Sequence, residues 1–267
     1  MKRDFFNTGY EIIDFHAHPF TDGDHQISNY RKFYGAKEAD MIPTMRRLGI
    51  SKICGSVIRF GDQEHFAESF DHVRALNDTA LALSERLGDF YVPGFHIHPD
   101  YPEESILEIQ RMASHGVRLI GELVPYLQGW DRYDRPELHP IFSEAAKHGM
   151  VVSFHDMAYD TVDAMVSAHP DIIFVAAHPG EYPNVIRHVE RMKKYDNVYL
   201  DLSGTGLFRW EMLRYLVDEV GSERILFGTD YPVCNPGVAI GGVLAEPISD
   251  SDFENIFSKN AKRILGI

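Results

Sequence analysis

Residues 172–203, IIFVAAHPGEYPNVIRHVERMKKYDNVYLDLS, show the pattern from which the architecture is predicted. An apolar run (172–177) is followed by an amphipathic segment (183–195) and by a second apolar run (198–203). Apolar runs rich in Val, Ile, Leu and Phe with weak alternation are typical of parallel strands that are buried on both faces. The stretch therefore predicts a strand, a helix and a second strand.

The same alternation extends along the whole chain. Eight strands are predicted at 11–15, 52–58, 90–95, 117–123, 150–154, 172–177, 198–203 and 224–229. Helices are predicted at 40–49, 67–87, 102–115, 137–148, 160–169, 183–195, 208–220 and 249–265. Eight strand–helix units predict an α/β fold, a (β/α)8 TIM barrel, with residues 1–267 as a single domain. A doubly wound open sheet is the alternative, but the first strand is not followed by a Gly-rich phosphate turn.

Composition limits the possible partners and compartment. The 40 acidic and 26 basic residues give a net charge of −14, which argues against binding to nucleic acid or to an anionic membrane. The two cysteines, Cys54 and Cys234, are too few for a disulfide framework and indicate a reducing compartment. We read neither a signal peptide nor a membrane-spanning segment, so the cytoplasm is the expected location.

Polar side chains stand at the carboxyl ends of several predicted strands, where the active site of a barrel lies. His16 and His18 follow the first strand, and one further residue stands at the end of each of four others: Glu122, His155, His178 and Asp230. Imidazoles and carboxylates are ligands for Zn²⁺ and similar divalent ions.

The spacing of the two histidines in the His-x-His pair of strand one can be explained physically. Side chains alternate along a strand, so His16 and His18 face the same side and can bind one ion. A second pair, His96 and His98, ends strand three. Spacing alone does not choose between the two pairs, because the other polar residues would serve both equally.

Several segments resemble the amidohydrolase superfamily, and above all its amidohydrolase-2-type metal-dependent hydrolases and decarboxylases. The segments are IIDFHAHPF (12–20), VSFHD (152–156), FVAAHPGEYPNV (174–185), RILFGTDYP (224–232) and NAKRILGI (260–267). The resemblance extends over nearly the whole chain and implies that His16, His18, His155 and Asp230 bind metal. His178 matches a strand-six histidine that binds a second metal or orients water and substrate, whereas His96 and His98 match no ligand position.

Glu122, in LIGELVPY (119–126), leaves the number of metal ions open. Some branches of the superfamily bridge two ions with a carboxylated lysine or with a glutamate of strand four, and others bind a single ion. The segment is also similar to the TatD-type nucleases. We expect Zn²⁺, as one ion or two, and a bridging Glu122 would place two ions roughly 3.5–4 Å apart.

These expectations give a functional hypothesis. A metal-bound water would attack an amide or lactone bond of a small organic molecule, with Asp230 as the base and His178 stabilising the oxyanion or positioning the water. Metal-dependent decarboxylation is the alternative, and a TatD-like phosphodiesterase is a further one. Each of these three hypotheses is compatible with a homo-oligomer.

Residues in the loops that follow strands two, four and seven are candidates for contact with the substrate. Arg59, Tyr126, Trp130 and Arg209 are the residues concerned. Since an arginine binds a carboxylate through two parallel hydrogen bonds, Arg59 and Arg209 are candidates for holding an anionic group of the substrate.

Overall fold

The computed structural model describes residues 7–22, 37–58, 68–156, 159–206 and 209–267. They form one sheet of eight parallel strands that pair in chain order. The strands are Ile12–Asp14 (β1), Ile50–Gly55 (β2), Tyr91–Phe95 (β3), Leu119–Leu123 (β4), Val151–His155 (β5), Ile173–Ala177 (β6), Val198–Asp201 (β7) and Ile225–Leu226 (β8). Each predicted strand overlaps an observed one.

The first and last strands of the sheet are joined by backbone contacts. The Phe15 amide donates to the Phe227 carbonyl at 2.8 Å, and the His18 amide donates to the Tyr231 carbonyl at 2.7 Å. Ala17 and Tyr231 also form a parallel bridge. The sheet therefore closes on itself, and the predicted (β/α)8 barrel is confirmed.

Helices alternate with the strands. In the described residues they are Glu38–Arg47 (α1), Phe70–Leu87 (α2), Pro102–Ser114 (α3), Pro125–Gln128 (α4), Leu138–Lys147 (α5), Tyr159–Ala168 (α6), Tyr182–Lys194 (α7), Met212–Val220 (α8), Pro236–Leu244 (α9), Asp250–Glu254 (α10) and Asn260–Leu265 (α11). A 3₁₀ turn, Gly88–Phe90, precedes β3, and a π-helical turn, Asn255–Lys259, joins α10 to α11. The helix predicted over 249–265 is thus divided into three parts.

Helix α9 was not predicted from the sequence. Its PGVAIGGVL sequence contains three glycines, which lower the intrinsic helix propensity and obscure the pattern. The helix is started by Asn235, whose side chain accepts a hydrogen bond from the Gly237 amide at 2.9 Å, with Pro236 at the first helical position. Ile240 and Val243 are fully buried, so tertiary packing compensates for the weak propensity.

The alternation of side chains along the strands separates an apolar layer from a polar one. In β5, Val151 belongs to a buried cluster that also contains Ile264 of α11, while His155, two steps of the alternation further, ends the strand. Asp230 lies four residues beyond the buried Leu226, the last residue of β8. Polar residues therefore collect at the carboxyl ends of the strands.

Candidate active site

The six residues predicted from the strand ends lie together. Contacts of 2.9–3.5 Å connect them into one cluster: His16 with His18 and Glu122, His18 with Asp230, and Glu122 with His155 and His178. Four of them, His16, His18, Glu122 and Asp230, are less than a tenth exposed. Residues separated by more than 200 positions in the sequence thus share one buried, polar centre.

The first part of this cluster contains His16, His18 and Asp230. Nε2 of His16 lies 3.1 Å from Nε2 of His18, and Oδ1 of Asp230 lies 3.4 Å from the His18 nitrogen and 3.9 Å from the His16 nitrogen. One nitrogen or oxygen atom from each residue lies within 4.8 Å of the others. These spacings allow the three atoms to bind one cation.

Glu122 connects this group with the second part of the cluster. Its Oε2 lies 3.5 Å from Nε2 of both His16 and His18. Its Oε1 lies 2.9 Å from Nδ1 of His155 and 3.3 Å from Nε2 of His178. His155, which the resemblance implied as a ligand beside His16 and His18, is therefore grouped by the structure with Glu122 and His178.

Hydrogen bonds on the side away from the centre of the site orient His16 and His18. Nδ1 of His16 lies 2.9 Å from Oδ2 of Asp201, and Nδ1 of His18 lies 2.9 Å from the Ser56 carbonyl. A carbonyl can only accept, so Nδ1 of His18 carries a proton, and in the neutral ring Nε2 is the nitrogen left to bind a cation at the centre of the site. Contacts of this kind fix ring orientation in metal sites and raise the basicity of the ligand.

Asp201 and Ser203 were missed by the sequence interpretation. The Ser203 hydroxyl lies 3.0 Å from Nδ1 of His16 and 3.0 Å from Nδ1 of His178, and it donates a short hydrogen bond to Asp201. The available indication was the position of both residues in the seventh predicted strand, VYLDLS. Neither residue occupies a ligand position of the pattern that the family resemblance implies.

Burial and neighbouring charges shift the pKa values of the site residues in opposite directions. Burial lowers the pKa of His16, but the carboxylates of Asp201 and Glu122 outweigh it and hold this pKa well above its usual value. Burial also lowers the pKa of His18, but hydrogen bonds with Asp230 and Glu122 outweigh it and raise this pKa to about 9. The pKa of Glu122 would be raised by burial, yet the surrounding His16 and His155 hold it well below the usual range.

The donor set fits a divalent cation. The buried carboxylates favour positive charge on the imidazoles around them, and a bound cation would supply this charge in place of protons. Imidazole nitrogen and carboxylate oxygen are ligands for Zn²⁺, and both also suit other divalent ions such as Mn²⁺.

The backbone conformation of the strand ends is unusual at two of the six residues. His178 and Asp230 have positive φ angles of 69° and 62°, in the left-handed region that most residues avoid. Asp230 is fixed by its amide, which donates to the His16 carbonyl at 2.7 Å. Gly204 lies so close to His178 that a Cβ atom on it would stand 2.4 Å from Nδ1. Backbone strain at such positions is typical of functional sites.

The second His-x-His pair is used differently. Nε2 of His96 bonds to the Val57 carbonyl at 2.8 Å, and Nε2 of His98 bonds to the Gln128 carbonyl at 2.7 Å. Burial lowers the pKa of both rings, to about 4 for His96. Neither residue belongs to a potential metal-binding group among the described residues. These contacts agree with a structural role.

The predicted substrate-contact residues occupy different surroundings. Tyr126 is 46% exposed, and its ring meets the His155 ring edge to face with centroids 5.6 Å apart. Trp130 is buried and donates to the Gln128 side chain at 3.2 Å. Arg209 pairs with Glu181 at the surface, at 2.7 Å. Arg59 lies outside the described residues. Of the candidates that the structure describes, Tyr126 contacts the cluster.

The chain matches one protein family over most of its length. The family model described as Amidohydrolase matches residues 13–267. The chain belongs to the amidohydrolase family. The match covers all six residues of the cluster, and together with the His and Asp donors it supports a divalent metal ion as the cofactor of this amidohydrolase-family enzyme. A comparison with curated proteins found no match.

Solved structures with the same fold include several decarboxylases. The 2,6-dihydroxybenzoate decarboxylase from Rhizobium is 17% identical, with a TM-score of 0.72 over 96% of this chain and 99% of that one. The 5-carboxyvanillate decarboxylase from Sphingomonas paucimobilis is 18% identical, with a TM-score of 0.71 over 96% and 99%. A dihydroxybenzoic acid decarboxylase from Polaromonas sp. JS666, with bound manganese and the inhibitor 2-nitroresorcinol, is 14% identical, with a TM-score of 0.74 over 96% and 97%. At these identities the likeness shows the fold.

Within the described ranges, every helix is too short or too polar to cross a lipid bilayer.

Proposed function

We propose that this amidohydrolase-family chain is a metal-dependent decarboxylase of a small carboxylated molecule. The observation that carries the proposal is the buried group of His16, His18 and Asp230, a compact set of donors for one cation, in a fold shared with several decarboxylases. The comparisons support this reaction better than hydrolysis, which the sequence interpretation had placed first. One of the decarboxylases contains manganese, so Mn²⁺ is a candidate alongside Zn²⁺.

The residues around this group would perform defined tasks. A divalent cation bound there would neutralise the carboxylate of the substrate and stabilise developing negative charge. When the carbon–carbon bond to the carboxylate breaks, CO₂ departs and the electron pair stays on the substrate carbon, which must then take up a proton. We assign this proton to Nε2 of His178, which lies 3.3 Å from Glu122. The His178 side chain is 18% exposed, more than those of His16, His18 and Glu122, so a substrate can reach it.

Decarboxylation can be tested with the acids on which the similar enzymes act. Protein loaded with Mn²⁺ would be incubated with 2,6-dihydroxybenzoate and 5-carboxyvanillate, and CO₂ and the decarboxylated phenol would be measured. We expect both products in equal amounts, and we expect Asp230→Asn and His178→Gln to reduce the rate by at least about 100-fold. A suitable control is Glu144→Gln, because Glu144 bonds Lys147 and Gln110 on the outer helices.

Hydrolysis is the second candidate, and the position of Glu122 favours it. This carboxylate lies between two pairs of histidines, His16 with His18 and His155 with His178, with one oxygen directed to each pair. A carboxylate shared in this way is suited to bridging two cations. In the hydrolytic reaction Asp230 would take a proton from the attacking water and pass it to the leaving group, and His178 would stabilise the oxyanion.

The two candidates differ in cation content and in products. One cation per chain and release of CO₂ support decarboxylation. Two cations per chain, together with hydrolysis of amides or lactones and no CO₂ from either acid, would contradict the proposal and establish the second candidate. Elemental analysis of protein reconstituted with Mn²⁺ or Zn²⁺ provides the count.

A further inference from the structure

Two buried polar side chains of α7 lie behind the ends of β5 and β6. His188 and Arg191 are one helical turn apart, and they are 2% and 4% exposed. A buried cation on the barrel-facing side of an outer helix needs partners, because an unpaired buried charge is strongly destabilising. Both residues find their partners next to the candidate active site.

His188 contacts His178 from behind. Its Nε2 lies 3.2 Å from the carbonyl oxygen of His178, the residue whose φ angle is 69°. A carbonyl only accepts hydrogen bonds, so Nε2 of His188 carries a proton and donates it to this oxygen. The bond holds the backbone of a residue in a conformation that it would otherwise avoid.

Arg191 fixes the neighbouring strand end. Its Nη1 lies 2.6 Å from Oδ2 of Asp156, which follows His155 directly, and its Nε lies 2.9 Å from Oδ1 of Asp163. The Arg191 and Asp156 side chains are each 3% exposed. The Asp156 oxygen is also 3.7 Å from Nδ1 of His188, which is too long for a hydrogen bond but close enough for the two residues to pack together.

We propose that His188, supported by Asp156 and Arg191, is a positioning residue that holds His178 and His155 against Glu122. The inference rests on the proposed function only in that it assigns these two histidines to the active site. The imidazoles of His155 and His178 both reach the same Glu122 oxygen, at 2.9 and 3.3 Å, so a shift of either strand end would open this contact. Through His188 and Arg191, helix α7 thus fixes the chain at the ends of both β5 and β6.

The test compares two neutral, polar replacements of His188. In His188→Gln the amide nitrogen takes the place of Nε2 and can still donate to the His178 carbonyl. In His188→Asn the shorter side chain places its amide near the Nδ1 position and does not reach that carbonyl. Protein labelled with ¹⁵N in its histidines gives ring signals for each residue, and the signals of His155 and His178 are assigned from their loss in His155→Gln and His178→Gln.

We expect the wild-type ring signals of His155 and His178 in His188→Gln and their displacement or broadening in His188→Asn. His139 of α5 and His169, which follows α6, contact each other at 3.0 Å, so they should keep their signals in both variants and thereby show that the barrel is folded. Unchanged His155 and His178 signals in His188→Asn would overturn the proposal, even with a lowered melting temperature, because His188 would then be merely structural.

A second variant covers the case in which His188→Asn does not fold. Arg191→Lys keeps the charge but has a single nitrogen, which cannot bond Asp156 and Asp163 in the geometry of the guanidinium. We expect it to displace the His155 signal more than the His139 signal, and equal behaviour of the two signals would contradict the proposal. This experiment measures ring signals and not turnover. Its outcome is therefore independent of whether the decarboxylase proposal holds.

Discussion

Glu122 and His16 face each other across the centre of the site, with Oε2 of the carboxylate 3.5 Å from Nε2 of the imidazole. Each is buried, and each favours the charged form of the other: Asp201 and Glu122 together hold the pKa of His16 well above its usual value, and His16 and His155 hold that of Glu122 well below. Because burial alone would act in the opposite direction on both groups, the pair is maintained by mutual attraction. We therefore expect the charge of Glu122 to contribute to the attraction of this centre for a cation.

Removing that charge should weaken cation binding. In Glu122→Gln the side chain keeps its size but loses the negative charge that faces four imidazoles, so we expect Mn²⁺ affinity to fall at least about tenfold. Isothermal titration of metal-free protein with Mn²⁺ gives the affinity. Glu144→Gln serves as the control and should titrate like the wild type. Equal affinities for Glu122→Gln and wild type would show that Glu122 does not contribute to the cation site.

The two His-x-His pairs provide a matched comparison. We expect Mn²⁺ at about 100 times its dissociation constant to stabilise the wild-type protein by about 2.7 kcal/mol, which corresponds to roughly 5–10 °C in melting temperature. His18→Gln should lose most of this increase because Nε2 of His18 belongs to the donor group. His98→Gln should keep it, since the glutamine amide can still donate to the Gln128 carbonyl in place of Nε2. Thermal denaturation with and without Mn²⁺ measures both, and loss of the increase in His98→Gln alone would reverse the assignment of the pairs.

Asp201 should act on the cation through His16. Its Oδ2 lies 2.9 Å from Nδ1 of His16, and partners of this kind typically contribute 10–100-fold to metal affinity. Asp201→Asn is therefore expected to weaken Mn²⁺ binding about 10–100-fold while leaving the barrel folded. Asp250→Asn, which alters an exposed hydrogen bond with Tyr10 at the start of α10, is the control. An unchanged affinity in Asp201→Asn would mean that His16 is oriented by other contacts.

Much of the fold could be predicted because the strands repeat one simple pattern. Runs such as IIFVAA and MVVSF are buried on both faces, and buried parallel strands need no alternation of polar residues. The same repetition located the strand ends and therefore the polar residues at them. Helix α9 could not be predicted, because its glycines conceal a helix that is stabilised by packing of Ile240 and Val243.

The proximity of the six strand-end residues could be predicted from the sequence, but their grouping and the contacts of Asp201 and Ser203 with His16 could not. Sequence spacing showed that His16 and His18 share a face of their strand, yet it could not show that one carboxylate, Glu122, contacts both of them and also His155 and His178. Nor could it separate this pair from His96 and His98. The two pairs differ in the partners of their ring nitrogens, which are carbonyl groups of neighbouring strands and loops. Nε2 of His98 bonds to the Gln128 carbonyl, whereas His18 bonds to the Ser56 carbonyl through Nδ1 and directs Nε2 to the site.

The close approach of Gly204 to His178 gives a last prediction. Gly204 has a φ angle of +67°, and a Cβ atom would stand 2.4 Å from Nδ1 of His178. Gly116 has a φ angle of +78° but has no atom within 4 Å of the corresponding position. Both Gly→Ala variants carry the cost of a left-handed alanine, roughly 1–2 kcal/mol. Only Gly204→Ala also displaces the His178 ring, so we expect it to lower the free energy of unfolding further and to reduce turnover of the identified substrate at least about tenfold. Chemical denaturation and rate measurements on both variants test this, and equal effects of the two substitutions would show that the His178 ring moves aside without consequence.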